Sequence, residues 1–429
     1  MMEPRSSPFA LRPLTPALGL PAPLAATLGN GVPVTLLPIA DAPVVTLDLW
    51  FQAGSLFETD AESGLAHFLE HMVFKGSEGL APGEFDHRIE SVGGFSNAAT
   101  GYDEVSYHVV LPRDGLTLAC DLLPRLVLCP SLDADEFELE RQVVLEELAQ
   151  SEDQPEELAF QRLLELACGR HGYGRAILGE RARLRAHTPG AMEAFRHRHY
   201  RSDRSAVAVA GSFDPERLLA LLDQGPLGRL APADGPDPTR QGRLQLCPGE
   251  HRLQLPRLES ARLLMLWACP PAAAADELTG HDLMATLLAE GRRSRLVQCL
   301  REELDLVESV DVEIHPLEEG SLAVLECITG VDQLPRLRQE LLRLLEALPE
   351  GLRQEELLRA RRLLRHGHTF GLDATSQVAH LLGQQTLQGR LAPLDASLER
   401  LESWTLPRLQ SLADQWQPGR ACCLEVVPA

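Results

Sequence analysis

The sequence predicts an α+β protein built from two homologous α+β domains that arose by internal duplication, and three observations predict it. Residues 226–242, PLGRLAPADGPDPTRQG, are rich in proline and glycine and poor in large apolar residues, the composition of a linker. On either side of that segment one order of elements recurs: strands, a helix ending in glycine, another helix, then two strands. The length, 429 residues, exceeds what one ordinary core requires and suffices for two. The expected division is an extension over 1–24, a first domain over 25–225, the linker, and a second domain over 243–429.

In the first half, Val34–Leu37 and Val44–Phe51 are β-branched and bounded by proline and glycine, so they read as strands. A helix follows from about Ala61 to Lys75, with Asp60 or Ser63 as its cap and Gly76 as its stop. A second helix covers Pro82 to about Ser91, ahead of strands Phe95–Ala99 and Val105–Leu111. Long helices are expected near 114–128, 134–151 and 156–168, then a strand Ser205–Ala210 and a helix from Pro215. In the second half the strand Leu263–Trp267 precedes helices near 277–289 and 292–303, separated at Gly291. Strands near Val310–Ile314 and Leu322–Cys327 come next, and helices dominate until a last strand, Cys423–Val427.

Composition narrows the function. A formal net charge of −22 disfavours a nucleic-acid partner. No apolar run approaches the roughly 20 residues needed to span a bilayer, so no membrane partner is expected. The nine cysteines are odd in number and scattered, without CxxC spacing, which fits buried small hydrophobes in a reducing, cytoplasmic compartment.

The segment Ser63-Gly-Leu-Ala-His67-Phe-Leu-Glu70-His71-Met-Val-Phe-Lys-Gly76 carries chemistry. Residues four apart on a helix share a face, so His67 and His71 can aim two imidazoles at one point, as tetrahedral zinc requires. Glu70 stands beside them, within reach of a water held by the metal, where a carboxylate can take its proton. The order is the inverse of HExxH. With this many histidines and acids, H-x-x-[DE]-H arises by chance about 0.07 times per chain.

Two histidines leave a catalytic zinc one protein ligand short. The helix Asp135–Gln150 offers carboxylates, and Val143, Val144 and Leu148 mark its expected buried side. Glu140 and Glu147, seven apart, share a face; one can ligate while the other orients a ligating histidine.

These residues resemble the inverted-motif zinc peptidases of the pitrilysin, insulin-degrading enzyme and mitochondrial processing peptidase family, in the branch with short chains. That family pairs its motif with a glutamate ligand 76 residues after the second histidine, and Glu147 stands 76 residues after His71. The resemblance therefore implies His67, His71 and Glu147 as ligands of one Zn²⁺, Glu70 as general base, and Glu140 as the acid supporting a ligand. Trp50–Ser55 with Glu58, Phe95–Asp103, Arg141–Glu147 and His171–Gly179 continue the likeness from about residue 25 onward. It further implies mainly antiparallel sheets packed by helices, each chain forming half of a clamshell. It implies an edge strand carrying Asn97 and Ala98, on which an extended peptide or unfolded segment binds by strand addition.

The second half departs from the motif. Aligned on Gly291 and Gly76, it places Asp282, Ala285 and Thr286 opposite His67, Glu70 and His71, so no second metal site is expected. Active relatives grip substrate with an arginine and a tyrosine seven residues apart; Arg301 is present, but Glu308 stands where the tyrosine belongs. A carboxylate does not replace a phenol as donor. The expectation is a dimer, in one form a heterodimer whose partner lacks H-x-x-E-H and supplies the Arg/Tyr pair. The function the resemblance implies is a zinc metallo-endopeptidase acting on extended peptides or unstructured protein segments. The alternatives to it are a catalytically weak or inactive assembly subunit and a dedicated precursor-processing peptidase.

Overall fold

The structure, a computed structural model, describes residues 9–15, 20–232 and 242–429. Much of the linker, 233–241, and part of the N-terminal extension, 1–8 and 16–19, lie outside the described residues.

Two compact units form, each built on an open sheet. The first sheet contains β1 (Arg12–Pro13), β2 (Leu24–Thr27), β3 (Pro33–Pro38), β4 (Val44–Phe51), β5 (Phe95–Thr100), β6 (Val105–Pro112) and β7 (Ser205–Gly211) in the order β1-β2-β3-β7-β4-β6-β5. The second contains β8 (Gly249–Leu255), β9 (Ala261–Cys269), β10 (Ser309–His315), β11 (Ser321–Thr329) and β12 (Cys422–Pro428) in the order β10-β11-β9-β12-β8. The pairing β3-β7-β4-β6-β5 repeats as β8-β12-β9-β11-β10, with one parallel pair in each, β3 with β7 and β8 with β12. Every other pair is antiparallel. The duplication therefore extends to strand order and to the sense of each pairing.

The units are interleaved rather than consecutive along the chain, so they differ from the stretches 25–225 and 243–429. Ala149–Arg175 belongs to the second unit and Phe370–Ala396 to the first. The reason lies in the alternation of β4. Val45, Leu47, Leu49 and Phe51 enter the main core, whereas Thr46, Asp48 and Trp50 face the other way and are equally buried. A sheet buried on both faces needs a second cover, which the helix Thr375–Leu387 provides. Thr386 hydrogen-bonds Thr35 at 2.6 Å, and Thr375 hydrogen-bonds Thr46 at 3.1 Å. Gly383 lies against the Trp50 indole, where a Cβ would fall 2.1 Å from Nε1. Only glycine fits there.

On the main face, α1 (Leu65–Val73) buries Leu65, Ala66, Phe68, Leu69, Met72 and Val73. This helix starts four residues later than expected. Asp60–Glu62 is a separate 3₁₀ turn with its own Thr59/Glu62 capping box, and Gly64 bridges to α1 with φ +82°. The buried Glu58 carboxylate supplies the cap, accepting from Gly64 N at 3.0 Å and Ala66 N at 2.8 Å. Two further helices, α2 (Glu84–Ser91) and α3 (Leu116–Leu128), precede α4 (Ala134–Glu152).

Val143 does not lie on the buried side of α4. Phe137, Glu140, Arg141, Val144, Leu145 and Leu148 do, while Val143 and Leu139 are about half exposed or more. A position one residue before Val144 is rotated roughly 100° from it, which takes Val143 off the buried stripe. In the second unit, the helix expected over 292–303 is a π-helical turn at Val297–Glu303. No helix among the described residues is long and apolar enough to cross a membrane.

Candidate metal centre

Phe68 of α1 and Phe137 of α4 pack with ring centroids 4.6 Å apart and planes tilted by 39°. Three residues beyond each ring, on the same helix faces, come His71 and Glu140. The apolar contact thus sets the register of the polar one: His71 Nδ1 lies 2.9 Å from Glu140 Oε1. Two turns further along α4, Glu147 reaches both histidines, with Oε1 3.7 Å from His67 Nε2 and Oε2 3.4 Å from His71 Nε2. One ligand atom from each of His67, His71 and Glu147 lies within 4.8 Å of the others. Among the described residues this is the only such group of three.

The donor set fits zinc. Ligand atoms about 2.0–2.1 Å from a tetrahedral ion stand about 3.3–3.4 Å apart, close to the spacings between Glu147 and the imidazoles. In the tautomer of His71 that carries its proton on Nδ1, Glu140 accepts that proton and the Nε2 lone pair faces a Glu147 oxygen. Two acceptors at that distance repel unless a cation or proton sits between them. Burial, and then the neighbouring His71, bring the pKa of His67 down to about 4, so this imidazole is neutral and free to ligate at pH 7. Burial also pulls on His71, but its bond to Glu140 and the charges of Glu147, Glu140 and Glu70 outweigh it, and its pKa rises.

Glu140 is itself anchored. Lys75 Nζ lies 2.8 Å from its second oxygen, so the nearly inaccessible carboxylate has a partner at each oxygen. Burial raises its pKa, but the bonds to His71 and Lys75 prevail and hold it below the usual carboxylate range. Glu140→Ala is expected to weaken zinc binding by about 10- to 100-fold, measured by chelator competition.

Glu70 points to the same centre from α1. Burial raises its pKa, opposed first by a hydrogen bond from the Thr100 hydroxyl and then by the charge of His71. Thr100 ends β5, the outer strand of the sheet, which pairs with β6 alone. Asn97 is exposed on that strand, and Ala98 is half-buried against the core. Thr100 was part of a recognisable segment without an evident role. The signal for it is period two: Ser96, Ala98 and Thr100 alternate with exposed Phe95, Asn97 and Ala99, so Thr100 faces inward.

In the second unit, Ala285 and Thr286 are buried in the helix Ala275–Ala289, and burial raises the pKa of Asp282 to about 6. None of the three belongs to a metal-competent group. Arg301 is exposed on the π-helical turn, and Glu308 is exposed and accepts a hydrogen bond from Ser260 at 2.9 Å.

Comparison with known proteins places this chain. Residues 34–181 match the insulinase family, peptidase family M16, and residues 187–364 match the peptidase M16 inactive domain. The chain belongs to this family. An uncharacterized zinc protease of Mycobacterium leprae is 28% identical over 396 residues, 91% of this chain and 88% of that one. Another, from Bacillus subtilis, is 25% identical over 399 residues, 91% of this chain and 94% of its own. The fold is shared with a protease from Helicobacter pylori at a TM-score of 0.88 and 23% identity, covering 95% of this chain and 100% of that chain.

Proposed function

We propose that this chain is a zinc metallo-endopeptidase that hydrolyses extended peptides or unstructured protein segments. The observation that carries the reading is the convergence of His67, His71 and Glu147 with Glu70 beside them. Zinc in such a set supplies a Lewis acid for the scissile carbonyl and lowers the pKa of a water to about 7. Glu70 accepts the proton of the attacking water and returns it to the leaving amine. Glu140 fixes the tautomer of His71, and Lys75 keeps Glu140 charged. The unpaired edge of β5, at Asn97 and Ala98, receives the substrate by strand addition, which reads backbone more than side chains.

Glu308 in place of a tyrosine, seven residues after Arg301, favours an assembly in which a second chain completes the substrate grip. We assign that role to a family member that lacks H-x-x-E-H and supplies an arginine–tyrosine pair. The purified chain, assayed for zinc content and on a quenched-peptide library with and without such a partner, is expected to bind one zinc and to cleave faster with the partner. Full activity alone, unchanged by any partner, rejects the heterodimer. Zinc without cleavage under either condition favours the reading as an assembly subunit.

A further inference from the structure

The Thr100 hydroxyl donates to Glu70 Oε2 at 2.5 Å, and Thr100 adds a backbone hydrogen bond to the same carboxylate. Thr100 is also the last residue of β5, beyond which the chain turns at Gly101 to begin β6. The group that holds the base is therefore part of the outer strand. Two residues back, the Ala98 amide donates to the Asn97 side chain at 3.0 Å, so a peptide pairing there has only a local side-chain acceptor to displace. At Thr100 it meets an amide already committed to Glu70. A strand added along β5 can pair past Ala98 but not past Thr100, and it stops beside Glu70.

We propose that Thr100 is a positioning residue that fixes the Glu70 carboxylate to the substrate-accepting strand, so that base and scissile bond share one rigid frame. The inference rests on the peptidase reading. It separates two roles of β5: residues before Thr100 bind backbone, and Thr100 sets where along the peptide the water is activated. A misplacement of about 1 Å at a reacting group costs about 10²-fold in rate, so anchorage of this kind has a measurable signature.

The experiment compares wild type, Thr100→Val and Thr100→Ser on one extended quenched peptide, with zinc content and thermal midpoint recorded for each. Valine keeps the β-branched shape and removes the hydroxyl; serine keeps the hydroxyl. For Thr100→Val, zinc stoichiometry and thermal midpoint are expected to stay as in wild type and KM within about twofold. Its kcat is expected to fall about 10- to 100-fold, with recovery in Thr100→Ser. Cleavage sites mapped by mass spectrometry are expected to spread to neighbouring bonds in Thr100→Val. Wild-type kcat and an unchanged cleavage pattern in Thr100→Val overturn the positioning role while leaving the peptidase reading intact. Loss of zinc, or an equal fall in both variants, shows Thr100 to be merely structural and overturns it too. No cleavage by wild type, with or without a partner chain, overturns the peptidase reading itself and this inference with it.

Discussion

Glu70→Gln is expected to keep one zinc per chain and to lower kcat by about 10²- to 10⁴-fold, the usual contribution of a positioned general base. That span corresponds to about 3–5 kcal/mol of transition-state stabilisation. The substitution is nearly isosteric. The glutamine carbonyl still accepts from Thr100, so local packing has no reason to change. What disappears is the capacity to accept a proton. Because Glu70 is absent from the ligand set formed by His67, His71 and Glu147, metal affinity is expected to remain near that of wild type. Wild-type turnover in Glu70→Gln contradicts the mechanism.

His67→Ala is expected to abolish both zinc retention and hydrolysis. This loss should exceed the roughly 10- to 100-fold cost of removing a carboxylate that only supports a ligand. Two properties make His67 the most exacting test of the three. It is almost fully buried, and its Nδ1 has no hydrogen-bond partner among the described residues, so it has no other polar task in the fold. The side chain it exposes to the centre is neutral at pH 7 and aimed at Glu147. Zinc content after dialysis and peptide turnover read the two losses separately. A variant that binds zinc as tightly as wild type shows that His67 is not a ligand.

The contrast between those variants is informative because their side chains lie three residues apart on one short helix. A defect in α1 as a whole would remove metal and activity together in both. Opposite zinc behaviour at His67 and Glu70, with common loss of hydrolysis, requires separate roles.

Much of this arrangement was legible in the sequence, for physical reasons that differ from element to element. The two imidazoles and Glu70 follow from helical periodicity alone, since spacings of three and four fix their relative directions. Glu140 and Glu147 followed as a face, but helical periodicity does not say which of two carboxylates seven residues apart reaches a metal; the contact of the Phe68 and Phe137 rings sets the register in space. The expected buried side of α4 failed at Val143, because contiguous apolar residues cannot all share one face of a helix. The strands β4, β6, β9 and β11 carried enough β-branched and apolar residues to be read directly. β8, sequence GEHRLQL, did not, since it lies at a sheet edge with its alternate positions exposed.

The interleaving of the units was hidden for a further reason. It depends on a long-range exchange, in which the helix Thr375–Leu387 covers the far face of the first sheet. Buried Thr46, Asp48 and Trp50 on β4, with Leu37 on β3 and Ala208 and Ala210 on β7, are its local trace, because a strand with no exposed face needs a cover on each side. The bond between Thr100 and Glu70 likewise joins residues thirty positions apart, and becomes visible only when β5 lies beside α1.

Zinc X-ray absorption on the purified chain, set beside the same spectrum for Glu147→Ala, tests the central claim most directly. The account predicts one zinc per chain with nitrogen and oxygen neighbours only, at about 2.0–2.1 Å, including two imidazoles. It also predicts loss of the metal or of one oxygen neighbour in Glu147→Ala. A sulfur neighbour at about 2.3 Å, or an unchanged spectrum in the variant, would contradict it.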